Sequence, residues 1–158
     1  MARALGHRFG LPVVHLDQLW WADGSYVITG RATVRQHTPS PDAFRDLQDS
    51  ITRQDRWIID GDASWLDVRL RRADSVIVLD LPRWLCAWRV LRRTGSTRSD
   101  YPPHVRESWR WSVTLIDWIL RKYPSRRRHI FAAIAQHAPD ADVVVLRSRQ
   151  DVQNYLSR

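Results

Sequence analysis

Four short blocks of apolar residues punctuate the chain, and three of them run into a carboxylate. Pro12-Val13-Val14-His15-Leu16 ends at Asp17, and Arg56-Trp57-Ile58-Ile59 ends at Asp60-Gly61. Ser75-Val76-Ile77-Val78-Leu79 ends at Asp80, and a fourth block covers 142–146. Apolar runs of this length, bounded by polar or turn residues, read as buried strands. Between them the spacing turns helical. Ser40 reads as an N-cap, Pro41 takes the first helical position, and Phe44, Leu47 and Ile51 follow on one face. A short helix is expected over 64–72. Another starts at Pro82 and runs to about Arg93, with Leu85, Trp88 and Leu91 inward. Helices follow at about 104–122 and 125–137, separated at Pro124, and Ser148-Arg149-Gln150-Asp151 resembles a capping box for a last helix. Residues 18–39 read as a loop with a short strand at Tyr26–Thr29. Strands alternating with helices predict an α/β fold with a mainly parallel sheet, whose ligands sit at the carboxyl ends of the strands. Asp17, Asp60 and Asp80 all stand there.

The 158 residues amount to one domain, expected to span 1–158. A single cysteine, Cys86, excludes an internal disulfide and fits a reducing, cytoplasmic setting. No apolar run approaches the length of a membrane span, so no membrane is expected among the partners. The opening MARALGHRFG has no apolar stretch of the signal-peptide kind.

Charge changes the picture more. The net +8 is carried unevenly: residues 1–79 hold ten basic and ten acidic side chains, whereas 80–158 hold fifteen and seven. The segment Arg83–Arg128 has twelve bases against three acids. That balance points to an anionic partner, whether a phosphate-rich ligand, nucleic acid or an anionic surface. Of the nine tryptophans, Trp57, Trp65, Trp84, Trp88 and Trp118 fall in apolar patterns and are expected in the core. Trp20 and Trp21 follow Asp17 and are candidates to stack on or cover a substrate. Trp109 and Trp111 cannot share one helix face. His15 reads as a satisfied strand histidine, and no metal-ligand spacing links the other histidines.

Several segments resemble, in order, the DNA topology modulation proteins. They are His15-Leu16-Asp17, then Trp57-Ile58-Ile59-Asp60-Gly61, then Ala73-Asp74 through Leu81-Pro82-Arg83-Trp84-Leu85-Cys86, then Arg89-Val90-Leu91-Arg92-Arg93. Thr97-Arg98-Ser99-Asp100 and Trp118-Ile119-Leu120 fit the same group. The resemblance implies a three-layer parallel sheet of the P-loop nucleoside-monophosphate-kinase type, with a helical, arginine-rich lid over about 92–128. It also implies an ATP- and Mg²⁺-dependent phosphotransferase with an unknown small-molecule acceptor. In such kinases an acid at the position of Asp60 binds water on Mg²⁺, although a strand-end aspartate also caps helices. Asp17 would face the acceptor and orient or deprotonate it. Arg89 and Arg93, four apart on one helix face, match arginines that grip the transferring phosphate. Arg98 and one of Arg126, Arg127 and Arg128 would close over the nucleotide.

One part of that pattern is missing. The group opens with a strand and a G-x-x-x-x-G-K-[ST] loop, whereas here the only lysine is Lys122. Met1–Gly6 resembles the helix that follows that loop. The expectation is therefore an N-terminally truncated chain, lacking about 15–20 residues that would form the central strand and its phosphate loop. Such a chain should have a slot in its sheet and little or no ATP turnover. The alternative function is non-catalytic nucleic-acid binding through the basic 83–128 segment. A strand from a partner could also fill the slot.

Overall fold

The computed structural model describes residues 1–20, 26–29, 32–35, 40–61, 65–95 and 109–157. The chain runs α1 (Ala2–Phe9), β1 (Val13–His15), α2 (Leu16–Trp20), β2 (Tyr26–Thr29), β3 (Ala32–Arg35), α3 (Pro41–Thr52), β4 (Ile58–Asp60), α4 (Leu66–Leu70), β5 (Ser75–Leu79) and α5 (Arg83–Arg93). It continues through α6 (Trp109–Asp117), a π-helical turn (Trp118–Lys122), α7 (Tyr123–His137), β6 (Asp142–Leu146) and α8 (Arg149–Ser157).

The fold is mixed α/β, and its parallel strands form two separate pairs. β1 lies parallel to β4, with Val13, Val14 and His15 opposite Ile58, Ile59 and Asp60. β5 lies parallel to β6, from Ser75 opposite Asp142 to Leu79 opposite Leu146. Among the described residues no ladder joins β4 to β5, so the strands expected in one sheet form two separate two-stranded sheets. Between the two pairs lies a cleft of about 350 Å³, lined by Trp57, Ile59 and Asp60 on one side and by Ser75–Leu79 on the other. A third pair, β2 with β3, is an antiparallel hairpin. The short strand at 26–29 is therefore present, but its partner at 32–35 falls within residues read as loop, and α2 begins at Leu16, read as the end of a strand, and runs into that loop.

Local signals explain most of the elements. The Ser40 hydroxyl accepts the Ala43 N–H at 3.1 Å, capping α3 as its sequence predicts. Ser148 and Asp151 make the reciprocal bonds of a capping box at α8: Ser148 Oγ accepts from Asp151 N, and Asp151 Oδ2 accepts from Ser148 N. Pro124 does not separate two helices. It sits in the first turn of α7, and helical backbone continues through it from α6. Proline has no N–H to offer the carbonyl four residues back, which is that of Leu120. The π turn and Arg83 absorb the defect: Tyr123 N–H bonds Trp118 O, and Arg83 Nη1 donates to Leu120 O at 2.7 Å.

The core gathers β5, α4 and α7, where Leu70, Val78, Ala133, Ile134 and Ala138 are buried together. Leu16 and Phe44 are the largest apolar side chains buried outright on the other half. The tryptophans divide. Trp57, Trp65 and Trp118 are half-buried, but Trp84 and Trp88 are exposed, as is Leu91. On α5 it is Val90 that faces inward, at 2% exposure. Of the expected inward row Leu85, Trp88 and Leu91, Leu85 is half-buried like Cys86, whereas Trp88 and Leu91 are corrected to exposed positions. Almost every non-arginine position of this helix is apolar, so periodicity alone could not choose its buried face.

Candidate functional site at the strand ends

The carboxyl ends of the strands hold two groups of polar side chains. The first is built by the register of β1 on β4, which sets His15 beside Asp60. His15 Nδ1 is 2.8 Å from Asp60 Oδ2, and Arg3 Nε from α1 donates to His15 Nε2 at 3.2 Å. With Nε2 accepting, the proton sits on Nδ1 and is donated to Asp60. His15 is thus a satisfied strand histidine and also the group that orients Asp60. Gly61 follows at φ +135, a backbone conformation disfavoured for L side chains, and a Cβ there would lie 3.2 Å from Leu16 Cβ. The turn therefore lets α2 approach the end of β4. Asp17 lies in the first turn of α2, near the same strand ends. The backbone of Trp20 closes that helix, while its side chain, together with Trp21 and Arg98, lies outside the described residues.

The second group lies at the ends of β5 and β6. A pocket of about 440 Å³ is lined by Asp80, Leu81, Pro82, Arg83, Tyr123, Pro124, Arg127 and Arg147. Arg127 grips Asp80 with both arms, Nε and Nη2 each donating at 2.7 Å, and its guanidinium lies over the Phe131 ring. Arg147 approaches Asp80 at 3.9 Å. Hydrogen bonding from Arg127 holds the Asp80 carboxyl below the usual carboxylate range, with the charges of Arg127 and Arg147 adding to it and burial opposing. With three guanidiniums and one carboxylate, the pocket keeps a net positive charge.

The structure therefore separates the arginine run of α7. Arg127 is tied to a strand end, Arg128 is exposed and Arg126 is half-buried. Arg89 and Arg93 share α5 with Cys86, whose thiol is pushed up by burial while both guanidiniums pull the other way. Among the described residues no group of three histidine, cysteine or carboxylate side chains gathers as a metal cage. Sequence reasoning missed Arg3, Tyr123 and Arg147. The rule that ligands gather at strand ends singles out Arg147, the residue immediately after β6, whereas Arg3 and Tyr123 arrive through packing. No family model, curated protein or solved structure matches this chain.

Proposed function

We propose that this chain is the body of an adenylate-kinase-like phosphotransferase, of the topology-modulation type, completed by one further strand between β4 and β5. The observation that carries the reading is the cleft, with a parallel pair on each side of it. Parallel strands buried in an α/β fold need both edges paired or covered. A strand in the cleft, followed by α1 and then β1, makes a β-α-β crossover over β4, and α1 does pack on both β1 and β4. The loop joining such a strand to α1 would open at the strand ends, close to Asp60. That is where a phosphate loop belongs.

On this reading Asp60, oriented by His15, holds a water of hydrated Mg²⁺, and Asp17 faces the acceptor. Arg89 and Arg93 bind the transferring phosphate, and the Asp80 pocket receives part of the nucleotide. The 158 residues contain no G-x-x-x-x-G-K-[ST] segment to cradle the β- and γ-phosphates and should bind MgATP weakly. The test compares this chain with the natural gene product, beginning with its intact mass and N-terminal sequence. A natural product that runs upstream into G-x-x-x-x-G-K-[ST] should gain thermal stability from MgATP, and Asp60→Asn should lose that gain. A natural N-terminus at Met1 sinks the proposal. So does binding to nucleic acid that falls steeply with salt and ignores nucleotide, the behaviour expected of the alternative reading.

A further inference from the structure

Two adjacent helices present an apolar face that the phosphotransfer reading leaves without a role. α5 and α6 run antiparallel. At one end the hydroxyls of Thr94 and Ser112 are 2.8 Å apart, and at the other Arg83 reaches the carbonyl of Leu120. Their inward positions are Val90 and Ser112, both buried. Trp84, Trp88 and Leu91 follow on α5 at spacings of four and three, away from Val90. Trp109 and Val113 on α6, and Leu120 in the π turn, are exposed as well. These six side chains are between 45% and 69% exposed. Isolated exposed apolar residues need no explanation, but two neighbouring rows containing three tryptophans mark a contact surface.

Charge narrows the choice of occupant. Within 83–95 and 109–122 there are seven basic residues and a single acid, Asp117. Asp117 is already paired to Arg121 at 2.8 Å. A second copy docking through the same face would oppose like charges. Nucleic acid would use the arginines and could stack on tryptophan, but it offers nothing to Leu91, Val113 and Leu120. A phospholipid surface answers all three features. Its acyl boundary takes the aliphatic side chains, its interface suits tryptophan, and anionic headgroups pair with arginine. Arg110, stacked 5.4 Å over the Trp109 ring, shows cation and ring already placed side by side.

We infer that the face of α5 and α6 bearing Trp84, Trp88, Leu91, Trp109, Val113 and Leu120 docks on anionic phospholipid surfaces. The expectation of no membrane partner rests on the lack of a spanning segment, and a surface contact needs none. Among the described residues no helix is long and apolar enough to cross a membrane. The inference stands apart from the phosphotransfer reading and survives its failure.

The test is co-sedimentation of the full chain with vesicles of phosphatidylcholine, alone or mixed with phosphatidylglycerol. The protein should pellet with the mixed vesicles, bind the neutral ones weakly, and be released as salt rises. The double variant Trp88→Ser, Trp109→Ser should lose about tenfold or more in partitioning while keeping its circular dichroism spectrum, because both rings are exposed. Arg92→Gln removes an exposed charge without touching the apolar rows, so it should weaken binding to mixed vesicles only. Failure to pellet with mixed vesicles overturns the inference, as does undiminished binding by the tryptophan variant. Binding to single-stranded oligonucleotide but not to vesicles also overturns it. So does self-association that the tryptophan variant abolishes.

Discussion

Asp80 is the most constrained carboxylate at the strand ends. Its side chain is 13% exposed, and Arg127 bonds both of its oxygens. Removing one partner of such a pair leaves the other with an unmet hydrogen-bonding demand. Asp80→Asn is therefore expected to lower the unfolding free energy at neutral pH by about 1–3 kcal/mol. The pH dependence follows from the direction of the shift. The Asp80 carboxyl titrates lower in the folded chain than in the unfolded one, chiefly through the Arg127 hydrogen bonds. Its contribution is present above the unfolded value, about 3.9, and is lost as pH falls through the lowered folded value. Urea titrations at pH 7 and near pH 3 should show the wild type losing more stability on acidification than Asp80→Asn. Equal losses would mean that the pair contributes nothing to acid sensitivity. Asp49 and Asp151 are shifted in the same direction, so the variant should reduce the acid loss without abolishing it.

At the scale of elements, α1 shows how closely helix and strand approach. A Cβ at Gly6 would collide with Val13 Cγ2 and lie 3.0 Å from Leu11 O. Val13 is fixed by pairing to Ile58, and Leu11 O is backbone, so neither can yield cheaply. Overpacking of this kind costs about 1–3 kcal/mol, against about 1 kcal/mol that alanine gains over glycine in a helix. Gly6→Ala should therefore lower the melting temperature, and an unchanged or raised value would show that α1 stands further from β1. Legibility in the sequence also divides by element. The caps at Ser40 and Ser148 and the four parallel strands are readable because they depend on local residue types. β3 is not, because Arg31-Ala32-Thr33-Val34-Arg35 has too few apolar residues to stand out until it pairs with Tyr26–Thr29. The π turn is hidden for a related reason: it answers Pro124 through Arg83, a residue of another helix. In the candidate site, Asp60 could be picked out from its place at a strand end. Its alignment by His15 and Arg3 depends on register and on the packing of α1, which no local pattern encodes.

For the molecule as a whole, the strand edges left without a partner among the described residues are the feature with the widest consequences. In a parallel ladder alternate residues direct their N–H and C=O groups to opposite edges. Asp142 N bonds Asp74 O, and Asp80 N bonds Leu146 O, so the even-numbered residues of the β5 segment face β6. The N–H and C=O groups of Ser75, Ile77 and Leu79 are then turned toward the cleft. On the other half Ile58 N bonds Pro12 O, which by the same alternation turns Ile59 toward the cleft. These residues line it. Polar backbone left unpaired beside apolar walls is costly unless water or another strand meets it. Hydrogen exchange should therefore read out the alternation directly. The amides of Ile59, Ser75, Ile77 and Leu79 should exchange faster than those of Val76, Val78 and Asp80 on the same elements. In the natural gene product, if it carries an upstream strand, the fast set should become as protected as the slow set, with both rising toward global stability. Uniform protection across β5 in the 158-residue chain would show that the cleft closes in solution and that β4 and β5 pair directly. The fold would then be complete without a further strand, and the structural argument for a phosphate loop beside Asp60 would be lost.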